Sequence, residues 1–138
     1  AVNYRDEDFV KAAREFSGGH GVDVVLDMVG GDYIPRNIKA LATDGRLVNI
    51  AFLRGSTIEL NFMTVMLKRL TLSGSTLRPQ PVKRKGEIAA ALRERVWPLI
   101  ARGEIKPVIH ATFPLANATE AHRLMESSQH IGKIMLTL

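Results

Sequence analysis

The sequence predicts a doubly wound α/β fold, and three features predict it. Val22 to Met28 is an almost unbroken apolar, β-branched run, the pattern of a strand covered on both faces in a parallel sheet. A glycine pair and an amphipathic stretch separate it from a second apolar run, Leu47, Val48 and Ile50, so strand, helix and strand form a right-handed crossover. The alternation of apolar runs with helical periodicity then continues to the end of the chain without repeats or low-complexity tracts.

Each element follows from local chemistry. Phe9, Ala12, Ala13 and Phe16 share one helical face, Asp6-Glu7-Asp8 suits the positive end of the helix dipole, and Ser17-Gly18-Gly19 stops the helix. After the first strand Asp32 is placed to cap the next helix, Pro35 is tolerated in its first turn, and Ile34, Ile38 and Leu41 line its inner face. Asp44-Gly45 turns the chain into the second strand. Asn61 to Arg69 reads as a short helix carrying Met63, Met66 and Leu67, Leu70 to Ser75 as a strand, and Pro79-Gln80-Pro81 as a break. A helix from Lys85 to Arg102 carries Ile88, Leu92, Val96 and Leu99 in one stripe, with a kink at Pro98. Val108 to Phe113 reads as a strand. Asn117 with Glu120 resembles a capping box on a helix whose inner face is Ala118, Ala121 and Met125, and Ile134 to Leu138 closes the chain as an alternating strand.

Composition narrows the function classes. At 138 residues the chain accommodates one domain and no second full one. No stretch approaches the roughly 18 apolar residues that a membrane helix needs, so the membrane is not expected as a partner. The absence of cysteine excludes disulfides, thiolate metal ligands and cysteine redox chemistry, and suits the cytoplasm. Ala1 to Asp8 is acidic and polar, unlike a secretory signal, and reads as a mature start or a cut. The net charge of +5 favours anionic ligands such as phosphates, but the basic residues are dispersed. The densest run, Lys83-Arg84-Lys85 with Arg78, reads as a solvated helix start. With no nucleic-acid reader motif, nucleic acid is not expected as a partner.

In a doubly wound sheet ligands bind at the carboxyl ends of the strands, and Gly30-Gly31 lies at such an end against a helix start. Its spacing is not G-x-G-x-x-G. Gly18-Gly19-His20-Gly21 follows a helix and precedes a strand, the reverse of the dinucleotide fingerprint. Spacing alone leaves a tight turn and a ligand-edge contact equally open. His20, His110, His122 and His130 are scattered, and His122 and His130 are not at i, i+4, so no metal site is expected.

The blocks AVNYRDEDF, GVDVVLDMVGGDYIPRNIKALATDGRLVNIAFLRG, KRLTLSGSTLR and FPLANATEAHRLMESSQHIGKIMLTL together resemble the C-terminal portion of the NADPH-dependent quinone oxidoreductases. These are the zinc-free, zeta-crystallin-like branch of the medium-chain dehydrogenase/reductase superfamily. The resemblance implies a partial Rossmann sheet lacking its first strands and glycine fingerprint. Residues 1–103 would be the C-terminal part of the NAD(P)-binding domain, and residues 104–138 a segment returning to the catalytic domain. It implies hydride transfer from NADPH to a quinone, or to an enone or enoyl thioester as in related reductases, with no catalytic residue and no metal in this stretch. A non-enzymatic nucleotide-binding or assembly module is the alternative outside enzymology. It also implies a homodimer paired through the edge strand near Leu70 to Ser75.

The same resemblance assigns candidate cofactor contacts. Tyr4 matches a tyrosine beside the adenosine 2′-phosphate, with Arg5 next to it. Met28, Val29 and Gly30 follow the strand that passes the cofactor ribose and diphosphate, where the glycines would shape a wall and leave the phosphate to other groups. Ile50, Ala51, Phe52 and Leu53 fall in the nicotinamide-side loop, Ser75, Thr76 and Leu77 fall opposite, and Lys133 matches a lysine reaching the cofactor from the C-terminal segment. Asp27, late in an apolar strand, reads as a cap or turn partner.

Overall fold

The computed structural model describes residues Ala1–Leu138, which divide into two compact units, Ala1–Gln80 and Pro81–Leu138. In the first, α1 (Phe9–Phe16), β1 (Val22–Asp27), α2 (Tyr33–Ala40), β2 (Leu41–Asn49), α3 (Met63–Leu67) and β3 (Thr71–Gly74) follow in order. The three strands form one sheet in the order β1-β2-β3, both pairings parallel, so the expected crossover unit is present. Val25, Leu47 and Leu72 sit side by side in register. They pack with Ile34, Ile38 and Leu41 as the core.

The other face departs from expectation. Val24 and Leu26 are 58% and 66% exposed, because no helix of this unit lies over their side of the sheet. Leu41 is not the last inward residue of α2. It begins β2 with extended backbone, and the helical spacing from Ile38 misled because a residue one turn on in space is buried either way. The turn expected at Asp44-Gly45 is a bulge inside β2: Val22 pairs with Leu41 and Val24 already with Arg46. Asp44 takes up the left-handed conformation at φ 63° and accepts two hydrogen bonds from Arg69, at 2.8 and 2.6 Å.

Helix ends show which side chains cap. Asp8 caps α1, accepting from the Val10 N–H at 3.0 Å. The carboxyl end of α2 is closed from outside by Lys68, whose Nζ donates to the carbonyls of Ile38, Lys39 and Leu41 at 3.4, 3.2 and 2.5 Å. Burial and the neighbouring Arg14 push the Lys68 ammonium below the usual lysine range. Asp32 does not cap α2, since its carboxylate pairs with Arg54 at 3.4 Å instead. The Phe9 and Tyr33 rings stack with centroids 5.6 Å apart. Arg36 lies over both while pairing with Asp8 at 3.3 Å, which fastens α1 to α2.

The second unit contains α4 (Val82–Arg95), α5 (Trp97–Ala101), β4 (Ile109–Pro114), a 3₁₀ turn (Leu115–Asn117), α6 (Ala118–Glu126) and β5 (Lys133–Thr137). β4 and β5 pair in parallel around α6. The single helix expected to Arg102 is broken at Val96. Pro98 has no N–H for the Glu94 carbonyl and its ring crowds that carbonyl, so α4 stops at Arg95 and the chain restarts as α5 at Trp97. The capping box is not formed. Asn117 ends the 3₁₀ turn at φ −100°, ψ 24°, not in the extended conformation a capping side chain needs. Of the expected inner face of α6, Ala121 is buried and Met125 is exposed.

Candidate functional site

The carboxyl ends of the first unit's strands converge on three loops: residues 28–31 after β1, 50–57 after β2 and 75–77 after β3. Asp27, 4% exposed, organises the first of them. Its carboxylate accepts from the Val29 N–H at 2.7 Å and from the Gly30 N–H at 3.2 Å, and from the Asn49 side-chain amide at 2.8 Å. The cap or turn role read from its place in an apolar strand is the role it has here.

The first two loops then join backbone to backbone. Ile50 N–H donates to the Asp27 carbonyl, Leu53 to Met28, Arg54 to Val29 and Gly31 to Gly55, at 2.8–3.2 Å. Gly30 and Gly31 make this possible. Both have positive φ, 70° and 52°, and a Cβ on Gly30 would lie 2.7 Å from the Gly55 oxygen and from Phe52 Cδ1. The N–H groups of the glycine pair are spent on Asp27 and Gly55, so this turn offers neither to a phosphate. The space freed by the missing Gly30 Cβ is filled by Phe52 and Gly55.

Between residues 49–52 and 72–76 runs an open groove of about 730 Å³. Its lining contains no ionisable side chain: Ile50, Phe52 and Leu72 supply apolar surface, and Ser73, Ser75 and Thr76 supply hydroxyls. The Ser75 N–H donates to the Asn49 carbonyl at 3.0 Å, carrying the β2–β3 ladder one step beyond the strands and holding the two walls together. Apolar surface with a few polar groups is the character of small-molecule sites.

Of the residues singled out from sequence, Ile50, Ala51, Phe52, Ser75 and Thr76 line this groove. Leu53 and Leu77 stand exposed beside it in the same loops. Met28, Val29 and Gly30 form the interlocked neighbouring loop. Tyr4 is exposed in a turn tied by Asn3, whose carbonyl accepts from the Asp6 and Glu7 N–H groups. Lys133 opens β5 in the second unit. Asn49, a groove residue bonded to Asp27, escaped sequence reasoning. The one signal for it is that Asp27 and Asn49 each place a polar residue at the end of an apolar run, and they prove to be register partners.

Residues 1–136 match the family model described as zinc-binding dehydrogenase. The quinone oxidoreductase of Rattus norvegicus is 29% identical over 137 residues, which are 99% of this chain and 40% of that protein. The crystal structure of the Escherichia coli quinone oxidoreductase complexed with NADPH superposes with a TM-score of 0.79 at 30% identity, covering 99% of this chain and 42% of that one. The CurK enoyl reductase superposes with a TM-score of 0.69 at 28% identity, over 94% of this chain and 38% of that one. The chain thus spans about two-fifths of the length of these relatives.

Proposed function

The chain belongs to the zinc-binding dehydrogenase family, and we propose that it forms the cofactor-binding portion of an NADPH-dependent quinone oxidoreductase. The observation that carries the proposal is the uncharged groove at the carboxyl ends of two parallel strands, built from loops that the resemblance to quinone oxidoreductases assigns to the nicotinamide side. Residues 1–103 would then belong to the dinucleotide-binding domain and 104–138 to a segment completing the catalytic domain.

When bound, NADPH supplies a hydride from its nicotinamide ring to the electron-poor carbon of the acceptor. The residues of this chain bind and orient. Ile50, Phe52 and Leu72 give the ring an apolar surface, while the hydroxyls of Ser75 and Thr76 are available to its polar edge. With no ionisable group in the lining, the groove places no acid or base beside the reacting carbon. Tyr4 and Lys133 are proposed to meet the cofactor at the adenosine phosphate and from the C-terminal segment. The family's description names zinc, but there is no cysteine and no three His, Asp or Glu side chains converge. This chain by itself presents no zinc ligand set; the zinc-free reading we propose rests on its resemblance to the quinone oxidoreductases.

A fluorescence titration of NADPH, on the longest natural polypeptide that contains this sequence, tests the reading. Micromolar binding together with turnover of a simple quinone is expected, and no binding rejects it. Binding with turnover of enones and enoyl thioesters but not of quinones favours the second reading, an enoyl reductase, which the likeness to CurK supports. Nucleotide binding with no turnover favours an assembly module. A cytoplasmic location accords with the lack of cysteine, and no helix is long and apolar enough to cross a membrane.

We further propose a homodimer through β3, which is an edge of its sheet. Leu72 packs on the core, so the exposed Ser73 is the better probe of the edge. Ser73→Lys is expected to shift the sedimentation profile from dimer to monomer, since lysine on an open edge blocks strand pairing. An unchanged profile rejects this interface.

A further inference from the structure

The groove contains one polar group whose orientation is fixed from behind. Asn49 lines it, and the Asn49 Nδ2 donates to the buried Asp27 carboxylate at 2.8 Å. A carboxylate only accepts, so the amide nitrogen must face Asp27 and the other end of the amide, Oδ1, is presented as an acceptor. Asp27 is itself held in place by the Val29 and Gly30 N–H groups, so turning the Asn49 amide over would break its bond to Asp27 and set Oδ1 against a carboxylate oxygen, acceptor against acceptor. Oδ1 has no protein partner, and it is reachable from outside.

We infer that Asn49 is a ligand-reading residue, its Oδ1 accepting a hydrogen bond from an N–H or O–H of the nicotinamide half of the cofactor, and that Asp27 is its positioning residue. The inference rests on the cofactor reading of the groove. A fixed acceptor in an otherwise apolar and hydroxyl-lined groove selects for a ligand that carries a donor, because a ligand without one leaves the amide oxygen desolvated and unpaired. The nicotinamide half of NADPH has two such groups, the carboxamide NH₂ and the adjoining ribose hydroxyls.

The test compares binding of NADPH with two analogues, one with an acetyl group in place of the carboxamide and one lacking the 2′- and 3′-hydroxyls of the nicotinamide ribose. The unaltered protein should bind NADPH about three- to tenfold more tightly than the analogue that lacks the donor Asn49 reads, as one hydrogen bond implies. The identity of that analogue tells carboxamide from ribose. In Asn49→Ala, and in Asn49→Leu, which keeps the volume, that ratio should fall to near one. Asp27→Asn lets the amide turn over, and should lower the ratio with Asn49 still present. A ratio near one in the unaltered protein, or one unchanged in the Asn49 variants, overturns the role of Asn49 and leaves the cofactor reading standing. An unchanged ratio in Asp27→Asn overturns the positioning role. Failure of the unaltered protein to bind NADPH overturns both.

Discussion

Replacing Asp27 with alanine is expected to lower stability by about 3–5 kcal/mol, measured by chemical denaturation. Asp27→Ala strips a partner from the Val29 N–H, the buried Gly30 N–H and the Asn49 amide at once. Each donor left buried without an acceptor costs about 1–3 kcal/mol, and Asn49, half-buried, recovers part of its share from water. Asp27→Asn should cost only about 1–2 kcal/mol. Its carbonyl oxygen can still accept from Val29 and Gly30, and its NH₂ can face an Asn49 that has turned over. A loss below about 1 kcal/mol in Asp27→Ala would show that the loop does not depend on this carboxylate.

The second large effect is expected at Gly30. Gly30→Ala places a side chain on a residue at φ +70°, which costs about 1–2 kcal/mol. It also drives a methyl to 2.7 Å from the Gly55 carbonyl oxygen and the Phe52 ring, and overpacking of this kind adds about 1–3 kcal/mol. A total of about 2–5 kcal/mol should appear in thermal or chemical unfolding, together, on the proposed cofactor reading, with loosened NADPH binding, because Phe52 is a groove wall. Gly55→Ala is the internal control. Its φ is +97° but open space surrounds it, so only the conformational cost is due. Equal losses at the two positions would mean that the two loops are not interlocked as described.

Much of the fold was legible because a parallel strand covered by a helix shows itself as an apolar run. Val22, Val25, Leu47 and Leu72 announced β1, β2 and β3 in this way. The loops after β2 and β3 were assigned by family likeness to the nicotinamide side of a cofactor, and Ile50, Phe52, Ser75 and Thr76 of those loops line one groove. What stayed hidden depends on partners distant in sequence. Asp32 looks like a cap until Arg54 competes for its carboxylate. Asn117 and Glu120 have capping-box spacing, but a 3₁₀ turn ahead of them gives the wrong backbone. Val24 and Leu26 read as buried from both sides, although their exposure depends on what is packed over them and not on their own chemistry. Asn49 carries no motif at all. Its meaning comes from Asp27, 22 positions earlier, across a strand pairing.

The groove walls hang beyond the strand ends, whereas the hydrophobic packing of this unit, centred on Ile38, Leu41 and Leu47, lies on one face of the sheet below them. Altering the chemistry at Ile50, Ser75 or Thr76 therefore spares the residues that hold the scaffold together. Single changes at the rim can therefore retune what the groove binds, each nearly neutral for folding. The glycine pair and its carboxylate anchor have no such freedom, since any change there is felt by the scaffold and by the rim together.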